Sequence, residues 1–233
     1  MKGDVMKEAF ISRLQELDIT VTDNQYQQFE RYYDTLIAWN KKMNLTAITD
    51  KDDVFLKHFY DSLCFVKGIK LTNQALLDVG SGAGFPSIPL KIVYPNLQIT
   101  IIDALQKRIM FLDALKNTLK LDVTLVHGRV ESFDERASYD IVTARAVAPL
   151  NVLCELCLPF VKVGGVFLPL KGGSVDEELK ESGDAIALLG GRQEQTIVYS
   201  YANNTRSLLK IRKIKETPNK YPRSFNKIKK NPL

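Results

Sequence analysis

The 233-residue sequence predicts a doubly wound α/β sheet preceded by a small helical extension. Three observations carry that prediction. Short apolar runs alternate with helix-length segments from Ala75 onward, a glycine-rich turn follows the first of those runs, and the chain before it shows helical spacing only. In the extension, Ala9, Phe10, Leu14 and Leu17 recur at helical intervals. Tyr26, Phe29, Tyr33, Leu36 and Ile37 do so again after a break at "TVTDN", where Thr22 or Asp23 can cap the second helix. Beyond it, "ALLDV" reads as a buried strand, "SIPLKIVY" as a helix closed by Pro95, and "LQITIIDA" as a second strand. A long helix, "QKRIMFLDALKNTLKL", leads to strands "DVTLVH" and "YDIVTARA". Pro149 opens the helix "PLNVLCELCLPFV", the Gly164–Gly165 turn precedes a fifth strand "GVFLPL", and "VDEELKESGDAIALL" reads as one further helix. The last two strands, "QEQTIVYSYA" and "RSLLKIRKI", follow each other without a helix, so one of them should be inserted antiparallel. The expected organisation is an extension over 1–70, a catalytic-size domain over 71–217 and a basic tail over 218–233.

A content of 45% apolar and 25% charged residues is that of a globular protein with a real core. The N-terminus breaks its apolar residues with charge every second or third position, and no stretch approaches the ~18 apolar residues of a membrane span. A soluble, cytoplasmic protein with no membrane partner is expected. Three cysteines (Cys64, Cys154, Cys157) and two histidines are too few and too scattered for a disulfide framework or a closed zinc site, so no metal is expected. Charge is uneven along the chain. From Thr205 to the end there are ten Lys/Arg against one acid, a net of +9, while the rest carries −4. A block of one sign at one end points to a polyanion, nucleic acid before membrane, with a merely solvated tail as the alternative.

In a doubly wound sheet the ligand lies beyond the carboxyl ends of the strands, beside the first of them. "DVGSGAGF" occupies that turn. Gly80, Gly82 and Gly84 remove side chains where backbone must approach a ligand closely. The dinucleotide pattern GxGxxG needs a glycine where this chain has Phe85, which disfavours a nicotinamide oxidoreductase. GxGxG with Asp78 two residues before it is the pattern of S-adenosylmethionine (SAM) enzymes. Asp103 ends the second predicted strand, where an acid can accept both hydroxyls of a ribose, and Val130 and Glu131 follow the third, where they can flank an adenine.

Methyl transfer from a sulfonium is an in-line displacement, and the enzyme's task is to align an acceptor lone pair with the methyl. The Asn/Asp-Pro-Pro-aromatic motif used on exocyclic amines is missing after the fourth strand, which reads "TARAVAPL". Cys154 and Cys157 stand near that region but sit in an apolar helix, where core packing is the better reading than a nucleophile. A ring nitrogen such as purine N7 needs neither device. Arg145, ending the fourth strand, and Lys171, ending the fifth, can each fix a phosphate or a base edge; the alternative for both is a local ion pair, for Arg145 with Asp61 among others. No acid–base catalyst is expected. A small-molecule methyltransferase and a non-catalytic RNA-binding protein on the same fold are the competing readings.

Several segments together resemble the bacterial small-subunit rRNA guanine-N7 methyltransferases (RsmG, formerly GidB). They are "WNKKMNLTAITD", "HFYDSL", "LLDVGSGAGFPSIPLKI", "GRVE", "YDIVTARAVAPL", "LPLKG" and "KYPR", spread over nearly the whole chain. The resemblance implies a class I SAM-dependent, Rossmann-like fold with seven mostly parallel strands in the order 3-2-1-4-5-7-6. It implies methylation of one guanine in the decoding-region loop of 16S rRNA, on the small subunit or an assembly intermediate, by a monomer. By motif, Gly80 and Phe85 line the methionine side of SAM, Asp103 meets the ribose, Val130 and Glu131 the adenosine, and Arg145 borders cofactor and guanine. Asn44, His58, Asp61 and Ser62 fall in a cluster near the substrate, with a structural hydrogen bond between His58 and Asp61 as the alternative. After "KYPR" the chain reads Asn226 and Ile228 where the family has glycine and proline.

Overall fold

Helices form the first layer. In the computed structural model, which describes residues 2–145, 147–201 and 204–233 (the side chains of Lys2, Gly3 and Asp4 excepted), α1 spans Lys2–Gln15 and α2 Asp23–Met43. Ala146 in the fourth predicted strand and Ala202 in the sixth lie outside the described residues. Thr22 caps α2: its hydroxyl accepts from the Gln25 N–H at 3.2 Å while the Gln25 side chain accepts from the Thr22 N–H at 2.8 Å. Such a reciprocal cap contributes about 1 kcal/mol. The next stretch, Lys51 to Lys67, is a composite: α3 (Lys51–Val54), a π-helical turn (Phe55–Tyr60), α4 (Asp61–Leu63) and a 3-10 turn (Cys64–Lys67).

The α/β unit follows in the expected alternation. It comprises β1 (Ala75–Val79), α5 (Ser87–Val93), β2 (Gln98–Asp103), α6 (Gln106–Leu119), β3 (Thr124–His127), β4 (Tyr139–Thr143) and α7 (Leu150–Cys157). After α7 come β5 (Val161–Phe167), β6 (Leu170–Gly172), α8 (Asp176–Glu181), α9 (Gly183–Leu188), β7 (Gly191–Tyr201), β8 (Asn204–Lys213) and α10 (Phe225–Lys230). The sheet runs β3-β2-β1-β4-β5-β8, parallel up to β5 and antiparallel at β8, with β7 pairing the far side of β8. This is the expected order 3-2-1-4-5-7-6 with one strand added. The extra strand, β6, extends the line of β5 and pairs with β8 at Leu170–Leu208. The predicted helix over "VDEELKESGDAIALL" is instead two short ones meeting at Ser182, whose hydroxyl donates to the Glu178 carbonyl at 2.6 Å; that bond competes with the helical ladder.

Consecutive residues of β1 face opposite layers. Leu76 belongs to the core that holds Phe10, Phe29, Phe59 and Phe111, on the side of α1, α2, α5 and α6; Leu77 belongs to the one that holds Leu153, Ile186 and Ile228, on the side of α7, α9 and α10. The N-terminal helices thus share a core with the sheet. Cys154 and Cys157 are fully buried in the second layer, and burial pushes both thiols well up from their ordinary range. The basic block counted from Thr205 is split by the fold: Arg206, Lys210, Arg212 and Lys213 belong to β8, and only the later cations follow the sheet.

Candidate functional site

Strand order reverses at β1, which has β2 on one side and β4 on the other, and the glycine turn leaves its carboxyl end. Gly80, Gly82 and Gly84 all have positive φ, at 72°, 62° and 96°. At Gly84 a Cβ would stand 2.8 Å from both the Tyr32 hydroxyl and Ile88, so the turn is packed hard against α2 and α5. Tyr32 donates its hydroxyl to the Ala83 carbonyl at 2.5 Å. At Gly82 a Cβ would meet nothing within 4 Å, because this glycine faces a cavity of about 310 Å³. Beneath the turn, Asp78 is fully buried; one oxygen accepts the Ser87 hydroxyl at 2.5 Å, and burial raises its carboxyl to about 7. The other oxygen, Oδ1, and the buried Ser81 hydroxyl have no hydrogen-bond partner among the described residues.

The far wall of this cavity comes from the helical extension. Asn40 on α2 clamps Thr46 through two 2.9 Å bonds, one to its carbonyl and one from its N–H. The Thr46 hydroxyl accepts from the Ile48 N–H at 3.0 Å and meets His58 Nε2 at 2.8 Å, while His58 Nδ1 lies 3.2 Å from the Lys57 carbonyl. The Lys57 carbonyl can only accept, so Nδ1 carries the proton, and in the neutral ring Nε2 accepts from the Thr46 hydroxyl. Burial and the Arg145 charge lower its pKa to about 4. Having both nitrogens bonded, His58 is no general base at neutral pH. Its ring stacks on Phe85 at 4.6 Å, Phe85 stacks in turn on Tyr32 at 5.4 Å, and the Arg145 guanidinium lies 4.8 Å from the Phe85 ring centre.

A second cavity of about 340 Å³ adjoins the first, and His58 and Arg145 line both. Lys57, Lys171 and Arg206 bring further positive charge to it, and Asp61 supplies the acid. Asp61 is 2% exposed and joins three parts of the chain: Oδ2 accepts from Arg145 at 3.1 Å, Oδ1 from the Tyr199 hydroxyl at 3.0 Å, and Arg206 Nε stands 3.7 Å away. Lys171 pairs with Glu178 at 2.7 Å and donates to the Ala148 carbonyl at 3.1 Å. Both cations therefore make the local ion pairs foreseen as their alternative role, and both still line the cavity. A larger apolar cavity between α1 and α3, about 840 Å³, shares no residue with either.

No hydrogen bond joins His58 and Asp61, the pairing that stood as the alternative to a place near the substrate. Both residues lie on or beside the π-helical turn, whose wider i→i+5 closure turns three-residue neighbours away from one another. Asn44 is the left-handed C-cap of α2, with φ 48°, and lines neither cavity; Asn40 and Thr46 in the same motif do the positioning. Ser62 is buried and donates to the His58 carbonyl at 2.6 Å, a bond within the helical stretch. Asp103 accepts from the Leu105 N–H at 2.9 Å and from Arg108 at 3.2 Å, and Arg108 lines the first cavity. Val130 is buried in the 3-10 turn Val130–Ser132 that follows β3, and Glu131 of the same turn accepts the Phe225 N–H at 3.2 Å, beneath the C-terminal segment. Tyr32, Thr46, Arg108, Tyr199 and Arg206 are site residues that the sequence did not single out. Thr46 stood in a quoted motif, and Arg206 was counted only as tail charge.

The residues present fit a SAM-type ligand: a cradle left open at Gly82, an orphaned carboxylate oxygen and hydroxyl under the turn, and an acid at the end of β2. Among solved structures the fold is shared with the M. jannaschii TYW2 protein in complex with AdoMet (TM-score 0.53, 16% identity, 63% of this chain and 72% of that one). It is shared equally with a 16S rRNA (adenine-N1)-methyltransferase from Catenulisporales acidiphilia (TM-score 0.53, 16% identity, 66% and 91%). The chain is 51% identical to a ribosomal RNA small subunit methyltransferase G from Bacillus velezensis over 97% of its own length and 98% of the relative's. It is 50% identical to the protein of that description from Lactococcus lactis subsp. lactis, over 96% and 98%. The family model for rRNA small subunit methyltransferase G matches residues 25–209. The chain belongs to the rRNA small subunit methyltransferase G family.

Proposed function

We propose that the protein is a SAM-dependent methyltransferase acting on N7 of one guanine in 16S rRNA, as a cytoplasmic monomer. The observation that carries this reading is the pair of adjoining cavities sharing Arg145 and His58, one built on the glycine turn and the other lined with cations. SAM, when bound, supplies an electrophilic methyl group. Gly80, Gly82 and Phe85 would hold its methionine end, Asp103 the ribose, and Val130 and Glu131 the adenosine. Arg145, fixed by Asp61 and by the face of Phe85, would orient the incoming guanine at the wall between the cavities, with Lys171, Lys57 and Arg206 drawing in the RNA backbone.

Guanine N7 carries its lone pair at neutral pH and loses no proton on methylation, so alignment suffices. Among the described residues no group lining the cavities is a poised base, which agrees with that requirement: His58 is doubly bonded and neutral, Asp61 is held by Arg145 and Tyr199, and Asp78, raised to about 7, is fully buried beneath the turn. No helix of the described residues is long and apolar enough to cross a membrane. The exposed cations after β8 would add salt-dependent phosphate contacts.

The test is to incubate small subunits lacking the modification with protein and labelled SAM, and then map the label. The expected result is one labelled guanine at which borohydride reduction and aniline cleave the strand, as they do at N7-methylguanine. Label at a position resistant to that cleavage would overturn the N7 assignment.

A further inference from the structure

The segment after β8 packs where the adenosine end of the cofactor is proposed to lie. Glu131 is nearly buried, and its Oε1 accepts the N–H of Phe225, the first residue of α10, at 3.2 Å. The Arg129 guanidinium stands 5.3 Å from the centre of the Phe225 ring and 3.9 Å from Glu131. A six-residue helix has little stability of its own, so tertiary contacts must hold it in place. The holder is Glu155 of α7. Its fully buried carboxylate accepts from the Arg223 N–H and Nε at 2.8 Å each and from Nη2 at 2.5 Å. The same Nη2 donates to the Asn231 carbonyl at 3.1 Å, so one guanidinium ties down the chain on both sides of α10. Ile228 is fully buried against the α7 layer, while Lys227, Lys229 and Lys230 are exposed.

We propose that docked α10 belongs to both ligand sites, fixing Glu131 for the nucleoside end of the cofactor while its outward lysines take RNA phosphates, so that cofactor and RNA bind cooperatively. This rests on the assignment of Glu131 to the adenosine. Linkage couples the two sites. Anything bound to the lysines in their docked arrangement favours the docked helix, and the docked helix supplies the Phe225 N–H that orients the Glu131 carboxylate. By reciprocity the cofactor then tightens RNA by the same factor. Arg223 and Glu155 are positioning residues in this scheme, since they act on the ligands only through α10.

The experiment is calorimetry of S-adenosylhomocysteine on the full chain, with and without saturating deproteinised 16S rRNA. RNA is expected to tighten binding about tenfold in the parent protein. Phe225→Pro deletes the N–H given to Glu131 at the first helical position, where proline is tolerated. It should bring the coupling below about twofold, as should the joint Lys227→Ala, Lys229→Ala, Lys230→Ala variant. Phe225→Ala keeps the N–H and should retain at least about half of the coupling. Equal affinity with and without RNA in the parent, or undiminished coupling in Phe225→Pro, would overturn the proposal. Failure of the parent to bind S-adenosylhomocysteine at all would overturn the cofactor assignment on which it rests.

Discussion

The two cavities of the site are built in opposite ways. The first takes its floor from one unbroken turn, Gly80 to Phe85, whose backbone shape follows from three glycines at positive φ, and is closed by Thr46, His58, Arg108 and Arg145 from other elements. The second gathers Lys57 and Asp61 from the helical extension, Arg145 from the end of β4, Lys171 from β6 and Arg206 from β8. A locally encoded pocket tolerates distant change but is sensitive to single backbone positions. An assembled pocket has the reverse weakness, because it depends on a few buried groups that bridge distant elements.

The largest expected effect falls on the assembled cavity. Asp61→Asn leaves the mostly buried Arg145 without its counter-charge and should cost on the order of 3 kcal/mol in urea unfolding, with methyl transfer down by about 100-fold. Calorimetry should find S-adenosylhomocysteine affinity within about threefold of the parent, since Asp61 does not line the first cavity. If cofactor affinity collapses along with transfer, the two cavities are not separable and the comparison breaks.

Gly82→Ala probes the other cavity. It places a Cβ at φ 62° in open space, so the fold should lose about 1 kcal/mol, a drop of roughly 2–4 °C in Tm. S-adenosylhomocysteine should bind at least about tenfold more weakly, because the Cβ enters the ligand's volume, while RNA affinity in a filter assay stays level. Parent-like cofactor binding would remove Gly82 from the cradle.

The smallest effect concerns His58, one of the two residues shared by both cavities. His58 has its folded pKa lowered to about 4 from 6.5. Between those values the unfolded chain binds the proton and the folded chain does not, so this contribution is fully present above 6.5 and is lost as pH falls toward 4. NMR should show the His58 ring titrating near pH 4. His58→Asn should unfold in urea with a shallower loss of stability over that window, and an unchanged slope would mean that the imidazole is free to charge in place.

Asp78 works in the opposite direction. Its folded pKa is raised to about 7 from 3.8, so stability from this group declines as pH rises through that interval. Any net pH profile of the parent sums the two, which is why single variants are needed to separate them.

Much of this molecule was legible in the residues. Strand and helix alternation showed a parallel sheet through β5, and the glycine spacing marked the turn that leaves β1 at the switch point, because both are short-range consequences of backbone sterics and apolar period. The π-helical turn at Phe55–Tyr60 was not legible: no residue type signals i→i+5 closure, and its effect was to separate His58 from Asp61. Nor could charge counting distinguish Arg206 and Lys213, held in β8, from Lys227, Lys229 and Lys230, held out to solvent. Lys213 is 2% exposed and donates to the carbonyls of Leu158 and Leu189 at 2.7 and 2.9 Å, a fate its neighbours in sequence do not hint at.

By itself, then, the sequence determined the frame of the site: a glycine turn at the switch point and an acid after the second strand. The tertiary structure decided which groups do the holding. It brought Asp61 to Arg145 and Tyr199 across 84 and 138 residues, and Glu155 to Arg223 across 68. Such pairings rest on where buried charge finds a partner once the layers close. That is a property of the packed fold, which a local stretch of residues does not encode.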